Sequence, residues 1–332
     1  MLNFALFGAG RIGRMHADNL AANARANLAY VYDVHAPSAD EVAGRHGARV
    51  APNVAAALDD DALDAVLIAS STDTHVELIT ASAKAGKAVL CEKPIDLDSA
   101  RVDRCRDEIA DCGVAIQIGL NRRYDPSHRE VARAAHAGEI GAVEQVIISS
   151  RDPGPPPLEY LKVCGGLYRD MMIHDFDLAR FVLGEEPVEV LALGSALFDD
   201  NARSLGDVDT AMVMMRTATD QLCHINCSRR AVYGYDQRLE VVGSAGMVRS
   251  DNRRATTVRR YGEAATAARD PLLHFFIERY AAAYKAEIDD FIDAVEQGRP
   301  PSVTFEDGRR ALRLADAAVE SRRTGRAVAV TH

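Results

Sequence analysis

The stretch Asn3-Phe4-Ala5-Leu6-Phe7-Gly8-Ala9-Gly10-Arg11-Ile12-Gly13 passes from an apolar run through a glycine turn into a helical pattern. Glycines at this strand-to-helix junction let backbone N–H groups and the positive end of the helix meet a pyrophosphate. A bare G-x-G-x-x-G is a weak signal, found in unrelated glycine turns as well; its position inside a βαβ unit is what gives it weight. The reading predicts a dinucleotide site built on Gly8, Gly10, Arg11, Ile12 and Gly13.

Working outward, apolar runs at 3–7, 28–33, 64–69, 87–91 and 114–118 alternate with amphipathic helical patterns. That rhythm is a βαβ series around a parallel sheet. Ala65-Val-Leu-Ile-Ala69 is apolar on both faces, as a sheet covered by helices on either side requires. Past residue 121 the rhythm changes. A helix is predicted near 126–138, a strand at 142–150, then a proline-rich loop and a helix carrying Asp170 and His174 to about 183. From 188 to about 261, β-rich runs at 209–215, 221–228 and 238–242 follow without intervening helices and read as an antiparallel sheet. Helical patterns at 271–298 and 305–324 close the chain, separated by Gly298-Arg299-Pro300-Pro301. The expected class is α/β: an N-terminal Rossmann doubly wound parallel sheet, and a C-terminal α+β domain with a large, mostly antiparallel open sheet. The predicted domains are 1–121, binding the nucleotide, and 122–332, for substrate binding and oligomerisation, with the C-terminal helices free to pack back on the first.

At 332 residues and 48% hydrophobic the chain can bury cores for two domains. A net charge of −10 argues against nucleic-acid or anionic-membrane partners, which need concentrated Lys and Arg. No apolar run approaches the roughly 18 residues of a membrane span, and Met1-Leu2-Asn3 leads straight into a strand with no charged leader, so a cytoplasmic enzyme is expected. Cys91, Cys105, Cys112, Cys164, Cys223 and Cys227 lack paired C-x-x-C spacing and read as reduced, mostly buried thiols.

Asp33 ends the second predicted strand, 20 residues beyond Gly13, where a carboxylate accepts from a ribose 2′-hydroxyl and repels a 2′-phosphate. NAD is therefore favoured over NADP; the plainer reading is a solvated aspartate at a turn. Ser70, Thr72 and His75 leave another strand at the carboxyl edge of the sheet, where ligands bind, though Thr72 serves equally as a helix cap and His75 as a first-turn passenger. Glu92-Lys93-Pro94 follows the run at 87–91 at the same edge, and Pro94 makes the placement of Lys93 rigid. Asp170, His174 and Asp177 follow at spacings of four and three, one face of a helix. A carboxylate orienting an imidazole makes a general acid or base near neutral pH, whereas His174, Asp175 and Asp177 together suit a metal-dependent hydrolase or aldolase equally by residue type. The glycine loop favours the former, and that reading requires no metal.

Taken together, Gly8-x-Gly10-x-x-Gly13, Glu92-Lys93-Pro94 and Gly165-Gly166 followed by Asp170-x-x-x-His174 resemble the superfamily of glucose–fructose oxidoreductase and inositol dehydrogenase over almost the whole chain. Gly119-Leu-Asn121-Arg122-Arg123-Tyr124-Asp125, Asp152-Pro-Gly-Pro-Pro-Pro157, Ile173-His174-Asp175-Phe176-Asp177 and Tyr233-Gly-Tyr235-Asp236-Gln237-Arg238 resemble its bacterial inositol 2-dehydrogenase branch. The resemblance implies NAD-dependent oxidation of a polyol, myo-inositol to the 2-keto inositol, within inositol catabolism. It implies Lys93 holding the reacting hydroxyl, His174 taking its proton and Asp170 orienting and charge-balancing the pair. It singles out Arg123, Asp152, Asp177 and Tyr235 as substrate contacts beside Lys93, Asp170 and His174. It also implies a homo-oligomer, a dimer or tetramer formed through the C-terminal sheet. Another inositol isomer, a monosaccharide, or a non-catalytic NAD-binding regulator are the alternatives.

Overall fold

The structure, a computed structural model, describes residues 1–331. Two units are present: Met1–Asn121 with Tyr284–Leu312, and Arg122–Ala283 with the residues from 313 on.

The first unit is built on six parallel strands: β1 (Leu2–Phe7), β2 (Ala26–Tyr32), β3 (Arg49–Val50), β4 (Ala65–Ile68), β5 (Ala88–Glu92) and β6 (Ile116–Gly119), in the order β3-β2-β1-β4-β5-β6. All four residues of β4 are buried, as a sheet covered on both faces demands. Phe4, Leu6, Val31 and Leu67 share a core with Ile288, Phe291 and Ile292 of the helix Ala281–Gln297. That helix belongs to this unit although some 160 residues separate it from β6; Arg25 holds its outer face through Asp289 and Asp293. The next helix, Phe305–Thr324, approaches at Gly308, where an added Cβ would lie 2.9 Å from the Ile95 side chain.

The second unit carries β7 (Val143–Arg151), β8 (Pro187–Ser195), β9 (Thr210–Thr217), β10 (Leu222–Ser228), β11 (Asp236–Gly243) and β12 (Gly246–Ser250). A small ribbon, β13 (Arg259–Arg260) with β14 (Ala268–Arg269), stands apart, and β15 (Val328–Ala329) completes the main sheet in the order β12-β11-β7-β10-β9-β8-β15. The sheet is antiparallel except between β7 and β10, which run parallel. The reason is the helical crossover from β7 to β8: it returns the chain in the same direction, and two hairpin reversals then bring β10 back alongside β7. One face of the sheet packs Val146, Ile148, Val213 and Ile225 against Val131, Phe176 and Val182 from the helices Pro126–His136 and Ile173–Leu183. On the other face Leu191, Leu193, Met212, Met214 and Leu222 are exposed.

Two helical expectations are corrected. Asp170 and His174 do not share one continuous helix: Gly166–Asp170 ends, and Ile173–Leu183 begins after a break at Met171-Met172. The pattern from 271 becomes helical only at Phe276–Arg279 and again at Ala281–Gln297, because the backbone of residues 272–273 is already paired with Arg254, Arg253 and Tyr235.

Buried aspartates held by arginines fix the second unit. Arg122 pairs with Asp175, Arg123 forks Asp177 at 2.8 and 2.5 Å, Arg229 reaches Asp170 at 3.2 Å, and Arg279 pairs with Asp125. Asp125 also caps the helix Pro126–His136 through the N–H groups of Ser127 and His128. Asp175 is wholly buried, and only Arg122 and the nearby Ser150 hydroxyl oppose the upward push that burial exerts on its carboxyl. Removing one partner of such a pair strands a charge, so Asp175→Ala should lose about 3–5 kcal/mol of stability, read as a lowered urea midpoint.

Candidate active site

In the first unit the three loop glycines do different jobs. Gly8 has φ +100°, and a Cβ there would lie 2.4 Å from the Ser70 backbone nitrogen; one on Gly13 would lie 1.9 Å from the Gly8 carbonyl oxygen. Both are demanded by the protein itself. Gly10 has nothing within 4 Å of that position and is exposed, so its missing side chain leaves room for something that is not protein. The helix Arg11–Ala21 starts directly after it, with Arg11 exposed and Ile12 half-buried, and its first-turn N–H groups face the same loop. An anion-binding cradle of this shape fits a dinucleotide pyrophosphate.

Asp33 is half-buried just beyond β2, and its two oxygens accept from the Ala9 N–H at 2.6 Å and the His35 N–H at 2.7 Å. It braces the glycine loop, a duty not visible in the sequence, and each oxygen retains a further lone pair for a ribose hydroxyl. Ser70 pairs its hydroxyl with Thr74 at 2.7 Å, and Thr72 opens a single 3-10 turn, Thr72–Thr74. His75 is buried, with Nδ1 2.8 Å from the Pro94 carbonyl and Nε2 3.1 Å from the Ser70 carbonyl. Burial lowers its pKa and keeps it neutral, so it acts as a staple between the ends of β4 and β5. Glu92 closes β5, takes a 2.8 Å contact from His16 Nε2, and accepts from the Lys93 N–H at 3.3 Å. Lys93 follows half-buried, joined to Pro94 by a cis peptide bond.

In the second unit, Asp175, Phe176 and Asp177 are buried while His174, in the first turn of Ile173–Leu183, is only half-buried. The arginine pairs set this rotation, turning the imidazole out of the core. They also answer the metal reading: Arg122 holds Asp175, and Arg123 with Arg180 holds Asp177, so both carboxylates are neutralised by fixed cations. Arg123 and Asp177, predicted as substrate contacts, are brought together as partners of each other. Asp170 accepts from Tyr160 Oη at 2.6 Å and from the buried Arg229. Neither partner was foreseen; Arg229 reads as one of two ordinary arginines after a strand, and only its burial distinguishes it. Asp152 follows β7 and donates its N–H to the Ser228 carbonyl at 3.0 Å. Burial pushes its carboxyl up to about 7, with Arg229 opposing the effect and Asp170 adding to it. Tyr235 is buried with its ring edge-on to Tyr280, centroids 6.1 Å apart.

A nucleotide cradle in one unit and a carboxylate–imidazole set in the other agree with the comparisons to known proteins. Residues 2–120 match an oxidoreductase-family model described as an NAD-binding Rossmann fold, and residues 134–330 match the C-terminal alpha/beta domain of the same family. The chain belongs to this family, that of glucose–fructose oxidoreductase and inositol dehydrogenase. Its cofactor is NAD, and it is an enzyme of the oxidoreductase class. The inositol 2-dehydrogenase of Rhizobium meliloti is 47% identical over 325 residues, 96% of each chain. The myo-inositol 2-dehydrogenase of Thermotoga maritima is 44% identical over 98% of each. The crystal structure of a myo-inositol dehydrogenase from Corynebacterium glutamicum superposes with a TM-score of 0.97 at 43% identity, covering 100% of this chain and 99% of that one.

Two predictions separate the roles of these groups. Gly13→Ala should destabilise the protein by roughly 1–3 kcal/mol through overpacking, seen in the thermal midpoint. Gly10→Ala should leave that midpoint in place yet weaken NADH binding by about tenfold or more, about 1.4 kcal/mol, measured by fluorescence titration. The raised Asp152 carboxyl keeps its proton longer in the folded state than in the unfolded chain. Its contribution to stability is therefore full below the ordinary carboxylate range near 3.9 and is lost as pH rises through about 7. Asp152→Asn should flatten the fall in thermal midpoint across that window.

Proposed function

We propose that this protein is an NAD-dependent inositol 2-dehydrogenase, oxidising the axial ring hydroxyl of myo-inositol to the 2-keto inositol. The observation that carries the reading is full-length similarity to two enzymes of that name, supported by Lys93, Asp170 and His174 lying in motifs that resemble the family's. NAD supplies the hydride acceptor when bound. The chain supplies positioning and proton handling. Lys93 donates to the substrate oxygen and favours its developing negative charge; His174, turned out of the core, removes the hydroxyl proton. Asp170, anchored by Arg229 and Tyr160, serves as the orienting carboxylate. A carboxylate tied by two donors holds its geometry without swinging into competing contacts.

A polyol presents directional hydroxyls, and a site that pairs them rejects isomers that leave a buried polar group unmatched. Asp152, near half-protonated at neutral pH, can donate or accept to such a hydroxyl, and Tyr235 adds a phenol. The buried Arg123–Asp177 fork contributes by holding the helix of His174. The closest rival is another inositol isomer: a Lactobacillus casei scyllo-inositol dehydrogenase, with NAD(H) and scyllo-inositol bound, superposes with a TM-score of 0.91 at 27% identity over 99% of this chain and 98% of that one. The exposed apolar row Leu191, Leu193, Met212 and Met214 supports assembly of a dimer or tetramer through the C-terminal sheet. No helix among the described residues is long and apolar enough to cross a membrane, and we place the enzyme in the cytoplasm.

The test is NAD reduction followed across myo-, scyllo- and D-chiro-inositol and glucose, with NADP alongside. Fastest turnover on myo-inositol with NAD supports the assignment, and a preference for glucose overturns it. His174→Ala should lose about 10²- to 10⁴-fold in kcat while NADH binding survives. Lys93→Ala should lose turnover comparably, and wild-type rates in either variant would remove that residue from the mechanism.

A further inference from the structure

Glu287 lies in the helix Ala281–Gln297 with its side chain wholly buried, and neither carboxyl oxygen has a hydrogen-bond partner among the described residues. Among the described residues no arginine or lysine is paired with it. What surrounds it is His16 from the helix after the glycine loop and Glu92 from the end of β5, with polar atoms of all three residues within 4.8 Å of one another. His16 Nε2 stands 2.8 Å from Glu92 Oε1, and the Tyr284 ring meets the His16 imidazole edge-on at 5.6 Å. Gln117 Nε2 donates to the Glu287 main-chain carbonyl at 2.9 Å, fixing that turn of helix. Every one of these groups belongs to the first unit.

Two carboxylates around one imidazole cannot both stay charged in a dry interior. An unpaired buried carboxylate takes a proton rather than bear the desolvation cost. The proton falls to Glu287, because Glu92 is the partly exposed member and already has N–H donors from His16 and Lys93. Once protonated, Glu287 changes from acceptor to donor, and Glu92 is the anion within reach, directly or through one water. Glu92 then collects three donors: the His16 imidazole, the Lys93 backbone and the Glu287 hydroxyl. Glu92 packs over Gly119, where a Cβ would crowd Oε2 at 3.1 Å, so the glycine is what admits the carboxylate at this place. The geometry points to Glu287 as a neutral carboxylic acid that positions Lys93 by locking Glu92. This rests on the assignment of Lys93 to the reacting hydroxyl. Burial, with the negative charges of Glu92 and Asp290 adding to it, also holds the Glu287 carboxyl well above the usual range.

The experiment compares wild type, Glu287→Gln, Glu287→Leu and Glu92→Gln as NADH-loaded enzymes. Infrared spectra of the wild type at neutral pH should contain a protonated-carboxyl C=O band that Glu287→Gln abolishes. Glu287→Gln, which keeps shape, neutrality and a donor, should hold kcat within about threefold, whereas Glu287→Leu should lose about tenfold or more in kcat with the KM for NAD unmoved. Should Glu287→Leu not fold, Glu92→Gln gives the same readout by removing the anion: kcat falls and the infrared band shifts. Absence of the band, wild-type kcat in Glu287→Leu or Glu92→Gln, or one equivalent of divalent metal that Glu287→Gln releases would each overturn the inference. Full turnover in Lys93→Ala would instead sink the assignment of Lys93, while the band still reports where the proton resides.

Discussion

The buried pairing of Arg122 with Asp175 and of Arg123 with Asp177 is the constraint on which the second unit depends. Neighbouring arginines on one short turn grip carboxylates two residues apart on the first turns of Ile173–Leu183. Carboxylates two residues apart project to nearly opposite sides of a helix, so this one is held from two sides and cannot roll, and His174, next to Asp175 in the chain, keeps its half-buried orientation. Charges this deep are not there for cheap stability: pairs of this kind often do no better than a well-packed apolar substitute, and breaking one is severe. Their return is direction. The imidazole proposed to take the hydroxyl proton needs a helix that does not roll.

The first unit uses the same economy with backbone rather than charge. Gly8 and Gly13 are small because protein atoms press against them, and Gly10 is small because protein atoms do not. Asp33 ties the loop to β2 through Ala9, His75 ties the ends of β4 and β5, and Glu92 ties the end of β5 to its own next residue. The carboxyl edge of the sheet is thereby held together by the chain's own contacts.

Much of this was readable from residue order. Five of the six parallel strands and the junction at residues 8–13 follow from periodicity and glycine spacing, because a parallel sheet covered on both faces imposes continuous apolar runs, whereas the two exposed residues of β3 leave no such pattern. Lys93, Asp170 and His174 were visible as chemistry-bearing types in a recognisable order. Their partners were not. Arg229 and Tyr160 reach Asp170 across 59 and 10 residues, and no local pattern marks them. Arg123 and Asp177 looked like solvent-facing charges available to a sugar, yet at 54 residues apart they neutralise each other. The spacing of Asp170 and His174 suggested one helix, and the chain breaks it at Met171-Met172, since a four-residue interval fits two short helices as well as one long one.

By itself, then, the sequence determined the Rossmann half, the nucleotide loop with NAD as its cofactor, and the family, because these depend on local periodicity and on motifs a few residues long. Tertiary structure alone decided which carboxylates remain available for chemistry. It sent Asp175 and Asp177 to arginines, raised the Asp152 carboxyl to about 7, and set Glu287 beside His16 and Glu92, 271 and 195 residues away in the chain. The charge state of a carboxyl is set by burial and by what lies within a few ångströms, and residue order carries neither.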